Sequence, residues 1–346
     1  MAMSWFPDVR VPPLRGGPVL RWGVLAPGTI AGDFTATVLA HTGQQITAVA
    51  SRSAERAARF AAQHGIGRSY GSYDQLVADN EVDIVYVAAP HAEHRPLSLL
   101  AIAAGKHVLI EKPIGLSAAE AEEIAAAARS AGVLAAEAMW TRYLPQFDVL
   151  DQVLSRGDLG TVRLATADVG WQLGPDAPSR FLDPVLGGGA ALDMGVYGYW
   201  FAQFAIGAPL RIRALGSMTS SGVDEQAVVA IAGADNRQAS VTTSMAVTNS
   251  GLAAIHGTAG SARFLGPFVF PAPFQVAVDG RVHDWTDTSG LRMRDGLAWQ
   301  ASAIAQFVAD GMRDSPVHSL DDAISVMRTI DTVRQQLAAA GNLTIP

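Results

Sequence analysis

Pro27-Gly28-Thr29-Ile30 sits where a short apolar run, Leu20 to Ala26, gives way to a helical pattern reaching Ala40. A strand that ends in a tight turn and opens a helix points backbone N–H groups at one spot, which suits a phosphate. Gly28 brings no side chain where backbone would meet a pyrophosphate, and Ala31 is small enough for helix to pack on strand. Ala26 stands where the dinucleotide fingerprint G-x-G-x-x-G carries its first glycine, and a plain strand-to-helix turn would use the same residues. The next strand, Gln45 to Ala50, ends in Ser51-Arg52-Ser53, with Arg56 one helical turn past Arg52 and no acid before Glu55. A carboxylate there would accept from a ribose 2′-hydroxyl and repel a 2′-phosphate. Hydroxyl and guanidinium groups favour the phosphate, although an arginine solvated at a helix start looks the same in sequence. The expected cofactor is NADP(H) rather than NAD(H), held in part by Pro27, Gly28, Thr29, Ile30, Ser51, Arg52 and Arg56. No metal site is expected, because the eight histidines contain no H-x-x-x-H or H-x-H pair, and no G-x-S-x-G nucleophile turn occurs.

These groups need elements to hold them. Ser53 is placed to cap a helix from Ala54 to His64. Asp83 to Ala89 reads as an uninterrupted apolar strand, Arg95 to Ala104 as a helix, Lys106 to Ile110 as a further strand, Ser117 to Ala131 as a helix whose Ser117 and Glu120 form a capping box, and Val133 to Ala138 as a strand. Strands apolar on both faces that alternate with helices predict a parallel sheet covered on both sides. From about Thr161 the texture turns to β-rich segments separated by turn residues: Thr161 to Trp171, Ile212 to Met218, Gln226 to Ala232, Gln238 to Val247, Ala253 to Gly257, Arg263 to Phe270 and Phe274 to Val278. They resemble consecutive antiparallel strands, with Gly187 to Ile206 as an embedded helix and helices at Ala298 to Met312 and Leu320 to Ala338. The expected division is a tail over 1–19, a nucleotide-binding domain over 20–142, and an α+β domain over 143–346 for substrate and oligomer contacts.

Composition bounds the class. The 346 residues are 49% hydrophobic and 16% charged, with no cysteine and a net charge of −7. Disulfide-stapled and zinc-thiolate domains are excluded, disordered and coiled-coil chains would carry more charge, and the acidic balance argues against a nucleic-acid partner. No apolar stretch reaches the ~18–20 residues that span a bilayer, and Met1 to Pro18 lacks a signal peptide's apolar block, so a cytoplasmic protein is expected.

Ala88-Ala89-Pro90-His91-Ala92-Glu93-His94, then Gly105-Lys106-His107-Val108-Leu109-Ile110-Glu111-Lys112-Pro113, then Gly187-Gly188-Gly189-Ala190-Ala191-Leu192-Asp193-Met194-Gly195-Val196-Tyr197, resemble segments of the Gfo/Idh/MocA oxidoreductase family from about Leu20 to the C-terminus. Glu137 to Tyr143 and the tyrosine at 197 resemble the branch that contains dimeric dihydrodiol dehydrogenases and NADP-dependent D-xylose dehydrogenases. The resemblance implies an α/β chain: an N-terminal Rossmann domain, with a doubly wound parallel sheet, plus a C-terminal α+β domain with an open, mainly antiparallel sheet. It also implies roles. Lys112 would stabilise charge on the reacting oxygen, Tyr197 would be the acid/base, and Asp193, four residues before it, would orient substrate hydroxyls. Ala89, Pro90, His94, Glu111, Lys112, Trp140 and Arg142 would line the cofactor, Trp171 and Arg180 the substrate, and Lys112-Pro113 would be a cis peptide. Many relatives carry histidine where Tyr197 stands and asparagine where His91 stands. The phenol implies oxidation favoured at higher pH.

The reading is an NADP(H)-dependent oxidoreductase that moves hydride between nicotinamide and a sugar or related cyclic or polyhydroxylated alcohol. Alternatives are a ketosugar (anhydrofructose-type) reductase, a lyase or glycosidase that re-reduces its substrate on a held cofactor, and a catalytically silent NADP-binding regulator. Small apolar and hydroxyl residues on Gln226 to Ala232 and Gln238 to Met245 suggest a homodimer or higher oligomer through the C-terminal sheet.

Overall fold

Strands buried on both faces build the first sheet of the computed structural model, which describes residues 5–174 and 177–340. The chain runs β1 (Arg21–Leu25), α1 (Thr29–His41), β2 (Gln45–Ala50), α2 (Ala54–His64), β3 (Arg68–Tyr70), α3 (Tyr73–Val77), β4 (Ile84–Val87), α4 (His94–Ala103), β5 (His107–Glu111), α5 (Ala118–Ala131) and β6 (Ala135–Ala138). All six strands are parallel, in the order β3-β2-β1-β4-β5-β6. This is the doubly wound Rossmann arrangement, whose strand order reverses between β1 and β4, and ligands bind outside the carboxyl ends at such a point. Phe34 of α1 stacks on Tyr86 of β4, ring centroids 4.1 Å apart, and meets Trp22 of β1 at a tilt, 5.4 Å away.

Serine side chains start three of the helices between these strands. Ser53, Ser72 and Ser117 accept from the N–H groups of Arg56, Gln75 and Glu120. Glu120 closes its half of the expected box one residue further out, on the N–H of Leu116 at 2.7 Å. Sequence periodicity does not reveal β3 and α3, which are three and five residues long and mostly polar.

The second sheet follows α6 (Pro145–Ser155) and holds β7 (Val162–Gly170), β8 (Arg211–Met218), β9 (Asp224–Ala232), β10 (Gln238–Ser244), β11 (Ala253–Gly257), β12 (Gly260–Phe264), β13 (Phe274–Val278) and β14 (Arg281–Trp285). Between β7 and β8 lie a π-helical turn, Ala191–Gly195, and α7 (Val196–Ile206). Strand order is β14-β13-β12-β11-β7-β10-β9-β8, antiparallel except for the parallel β7/β10 pair. Helix α7 covers one face closely: a Cβ on Gly198 would lie 2.5 Å from Val241 of β10. The chain ends with α8 (Leu297–Ala309) and α9 (Leu320–Ala340).

Three expectations are corrected. Within 1–19, Trp5 stacks on His283 at 4.5 Å, Phe6 meets Phe274 edge-on and Arg10 bonds Asp148, so this part of the segment read as a tail is docked on the second sheet's unit. The strand expected at Arg263 to Phe270 is β12, ending at Phe264. Beyond it Gly266 and Pro267 break the ladder, and Phe268 is buried from a loop. The described residues form two compact units, one from 11–144 with 291–324 and the other from 5–10 with 145–290 and 325–340. The chain therefore crosses between units more often than one boundary at 142/143 implies, and α8 groups with the parallel sheet.

Candidate active site

The turn after β1 keeps the fingerprint's backbone without its first glycine. Ala26 has φ of 62°, the left-handed region that glycine normally takes, and its N–H donates to Ala50 O on β2 at 3.0 Å. Such strain in a non-glycine residue collects at functional sites. Gly28 caps α1 in extended conformation. A Cβ there would meet only Ala26 O, at 3.9 Å, so nothing within the protein requires glycine and the cleared space faces outward. Helix α1 has no side-chain cap and no acid in its first turn, in contrast to the serine-capped α2, α3 and α5. Its orphan N–H groups and dipole suit an anion, so the turn fits the pyrophosphate of a nicotinamide dinucleotide. Thr29 is exposed and Ile30 half-buried at its mouth.

At the end of β2, Ser51 is buried and its Oγ accepts from Ser53 N–H at 3.2 Å. Arg52 is exposed, its Nη1 3.9 Å from Glu93 Oε1. Arg56 departs from the expected phosphate contact: its Nε and Nη2 donate to Pro27 O at 3.1 and 2.8 Å, bracing the turn itself.

Lys112 follows β5 directly, and Lys112-Pro113 is cis, as expected. The chain has only two lysines. Lys106 Nζ donates to Asp79 O and Val82 O, both at 2.8 Å, which leaves Lys112 as the lysine at the carboxyl end of the sheet. Glu111 beside it is buried, accepting from Tyr86 Oη at 2.5 Å and from Lys112 N–H at 3.3 Å. Burial pushes the Glu111 carboxyl up, opposed by the Tyr86 hydrogen bond and the Lys112 charge. His94 corrects an expectation. Fully buried, its Nδ1 lies 2.7 Å from Pro113 O and its Nε2 2.8 Å from Ala89 O, so both nitrogens serve the backbone and neither can meet a cofactor. Burial lowers its pKa, and the two carbonyls pull the other way. His91 is also buried, its ring 5.6 Å from that of His94, while Pro90 is exposed. Trp140 and Arg142 are buried in a short 3-10 turn, Trp140–Tyr143, and a Cβ on Gly296 would lie 2.8 Å from the Trp140 ring.

In the other unit, Asp193 and Tyr197 are both buried, but Asp193 lies in the π turn and Tyr197 in the first turn of α7. The regular i,i+4 geometry expected from their spacing is therefore replaced by a wider turn, of a kind frequent at functional sites. Asp224 holds the start of that turn by accepting from Ala191 N–H at 2.6 Å, and burial pushes its carboxyl up. Gly189, with φ of 113°, has no room for a side chain, since a Cβ would fall 2.3 Å from Asp224 Oδ1. Arg180 reaches Asp193 Oδ1 at 3.6 Å and lies over the Phe181 ring, its Cζ 4.0 Å from the centroid. Trp171, at the end of β7, is partly exposed, and its N–H donates to Ser244 O. Sequence reasoning missed Asp224, His318 and Arg294. Arg294 pairs with Asp33 of α1, and none of the three sits in a recognisable local motif.

A Rossmann sheet with an anion-ready turn and a strand-end lysine defines a pyridine-nucleotide oxidoreductase. Residues 20–138 match the model of the oxidoreductase family with NAD-binding Rossmann fold, and residues 147–263 that of the GFO/IDH/MocA C-terminal domain. The chain is 34% identical over 327 residues to human trans-1,2-dihydrobenzene-1,2-diol dehydrogenase, covering 92% of this chain and 97% of that protein. The Xenopus tropicalis enzyme of the same name is 31% identical, covering 92% and 98%. Among solved structures, a 3-ketoreductase from Actinomadura kijaniata in complex with NADP and TDP-benzene superposes with a TM-score of 0.78 at 26% identity, covering 94% and 98%. That protein has also been solved with a lysine replaced by alanine and with a tyrosine replaced by phenylalanine. The aldose-aldose oxidoreductase of Caulobacter crescentus shares the fold, with a TM-score of 0.83 at 22% identity and coverage of 93% and 98%. The chain belongs to the Gfo/Idh/MocA oxidoreductase family and is an NAD(P)-dependent dehydrogenase or reductase acting on alcohols.

Proposed function

We propose that the protein is an NADP(H)-dependent dehydrogenase of cyclic or polyhydroxylated alcohols, of dihydrodiol or sugar type. The observation that carries this reading is Lys112, placed directly after β5 and held by buried side chains, in the same unit as a turn fit for a pyrophosphate. The bound nicotinamide supplies the hydride acceptor or donor. The Lys112 ammonium steadies negative charge on the reacting oxygen, and the Tyr197 phenol takes the proton in oxidation and returns it in reduction. Asp193, Arg180 and Trp171 orient the rest of the substrate, and Ala89, Pro90, Glu111, Trp140 and Arg142 surround the cofactor. Nucleotide binding is assigned to residues 20–142 with α8, and substrate binding to the remainder beyond 143. The solved 3-ketoreductase favours one second reading, reduction of a ketosugar by the same residues run in reverse.

NADP(H) preference rests on the absence of a carboxylate at the end of β2. Arg52→Ala is expected to raise the KM for NADP+ about tenfold or more, the value of a charged hydrogen bond to phosphate, and to leave the KM for NAD+ unchanged. Steady-state kinetics with both cofactors check this, and a wild-type preference for NAD+ would remove the role from Arg52.

The protein is further proposed to be a cytoplasmic homodimer or higher homo-oligomer joined through the second sheet. On the face away from α7, Leu215 and Val228 are paired across β8 and β9 and are 67% and 59% exposed, and Ala230, Ser240, Thr166 and Ala254 continue the patch across β10, β7 and β11. An exposed sheet face of apolar and small residues of this kind suits a second copy. Val228→Asp is expected to shift the mass in light scattering from oligomer to monomer, and a monomeric wild type would overturn the assignment.

A further inference from the structure

Three successive residues, Lys112, Pro113 and Ile114, each give one backbone polar group to a different buried ionisable side chain. Lys112 N–H donates to Glu111 Oε2 at 3.3 Å, Pro113 O lies 2.7 Å from His94 Nδ1, and Ile114 N–H donates to Glu137 Oε1 at 2.8 Å. Glu137, on β6, has a second oxygen, and His318 Nε2 lies 2.7 Å from it, each side chain 1% exposed. His318 comes from the segment between α8 and α9, 181 residues away in sequence. That segment is fixed in turn: the N–H of His318 donates to Ser315 Oγ at 3.1 Å, and Tyr143 Oη donates to the same oxygen at 3.0 Å.

A single carbonyl would satisfy Ile114 N–H at less desolvation cost than a buried carboxylate. A carboxylate adds a second acceptor, and here that acceptor ties the lysine segment to a remote one. We propose that Glu137 and His318 are positioning residues for Lys112, forming with His94 and Glu111 a clamp that fixes the lysine's main chain on both sides. This rests on the role of Lys112 given above. Displacement of a reacting group by about 1 Å can cost about 10²-fold in rate, so the clamp matters to turnover more than to binding.

The test compares His318→Ala with His318→Gln, whose amide keeps an N–H toward Glu137. His318→Ala is expected to lower kcat about 10–100-fold, the usual cost of losing a group that orients a functional residue. Its KM for substrate and its cofactor Kd, read by quenching of protein fluorescence, should stay near wild type, and His318→Gln should recover most of kcat. Modification of Lys112 by an amine-reactive reagent, with Lys106 as internal reference, should change rate in ligand-free His318→Ala and return with His318→Gln. If His318→Ala does not fold, His318→Asn, too short to reach Glu137, takes its place. Equal kcat loss in the short and Gln variants, or unchanged kcat with a lowered melting temperature alone, would overturn the clamp. A Lys112→Met enzyme with near-normal kcat would instead overturn the role of the lysine.

Discussion

Replacing Lys112 by methionine is expected to lower kcat about 10²–10³-fold, the loss that follows removal of one preorganised donor to a developing oxyanion. Methionine keeps the length and the apolar stem and removes the ammonium. The main chain at 112–114 is held by Glu111, His94 and Glu137 through the Lys112 N–H, the Pro113 carbonyl and the Ile114 N–H, groups that the substitution leaves in place. Cofactor Kd should therefore be near wild type while kcat and kcat/KM fall together, the pattern of an interaction made in the transition state. Stopped-flow or steady-state rates with saturating cofactor measure it, and near-normal kcat would exclude Lys112 from the chemistry.

Tyr197→Phe is expected to lower kcat about 10²–10⁴-fold, the range for loss of a general acid/base. The ring is buried at the start of α7, and phenylalanine fills the same volume, so packing against the sheet should survive. The discriminating feature is the pH–rate profile. In the wild type, oxidation should rise with pH as the phenol loses its proton, and in Tyr197→Phe that limb should disappear. A variant that is slower but keeps the limb would assign the proton transfer to another group.

Most of the parallel half was legible because most of its strands are buried on both faces and three of its helices begin with serines: β2 and α2 run from Gln45 to Ala50 and from Ala54 to His64 as periodicity and capping predict. Short or polar elements such as β3 and β14 were not, since three residues of Arg-Ser-Tyr, or the half-exposed Arg-Val-His-Asp-Trp, bury too little to leave a pattern. At the site, residue types were readable and their partners were not. Arg56 carries the charge a phosphate would want, yet its guanidinium faces Pro27 O. His94 carries a ligand-like ring, yet both nitrogens face carbonyls. The spacing of Asp193 and Tyr197 suggested a regular helix face, and the π turn that separates them is built by Gly189 and Asp224, 35 residues apart in sequence and brought together only by tertiary packing.

The central claim is hydride transfer between NADP(H) and a cyclic or polyhydroxylated alcohol, and its most direct measurement is the near-ultraviolet absorbance of reduced nicotinamide in a panel of trans-dihydrodiols, aldoses and anhydrosugars with NADP+. Net formation of NADPH with at least one of them, slowed about 10²–10³-fold in Lys112→Met, is the predicted result. Substrate conversion without net change in the nicotinamide, or NADP+ binding with no turnover across the panel in either direction, would contradict it.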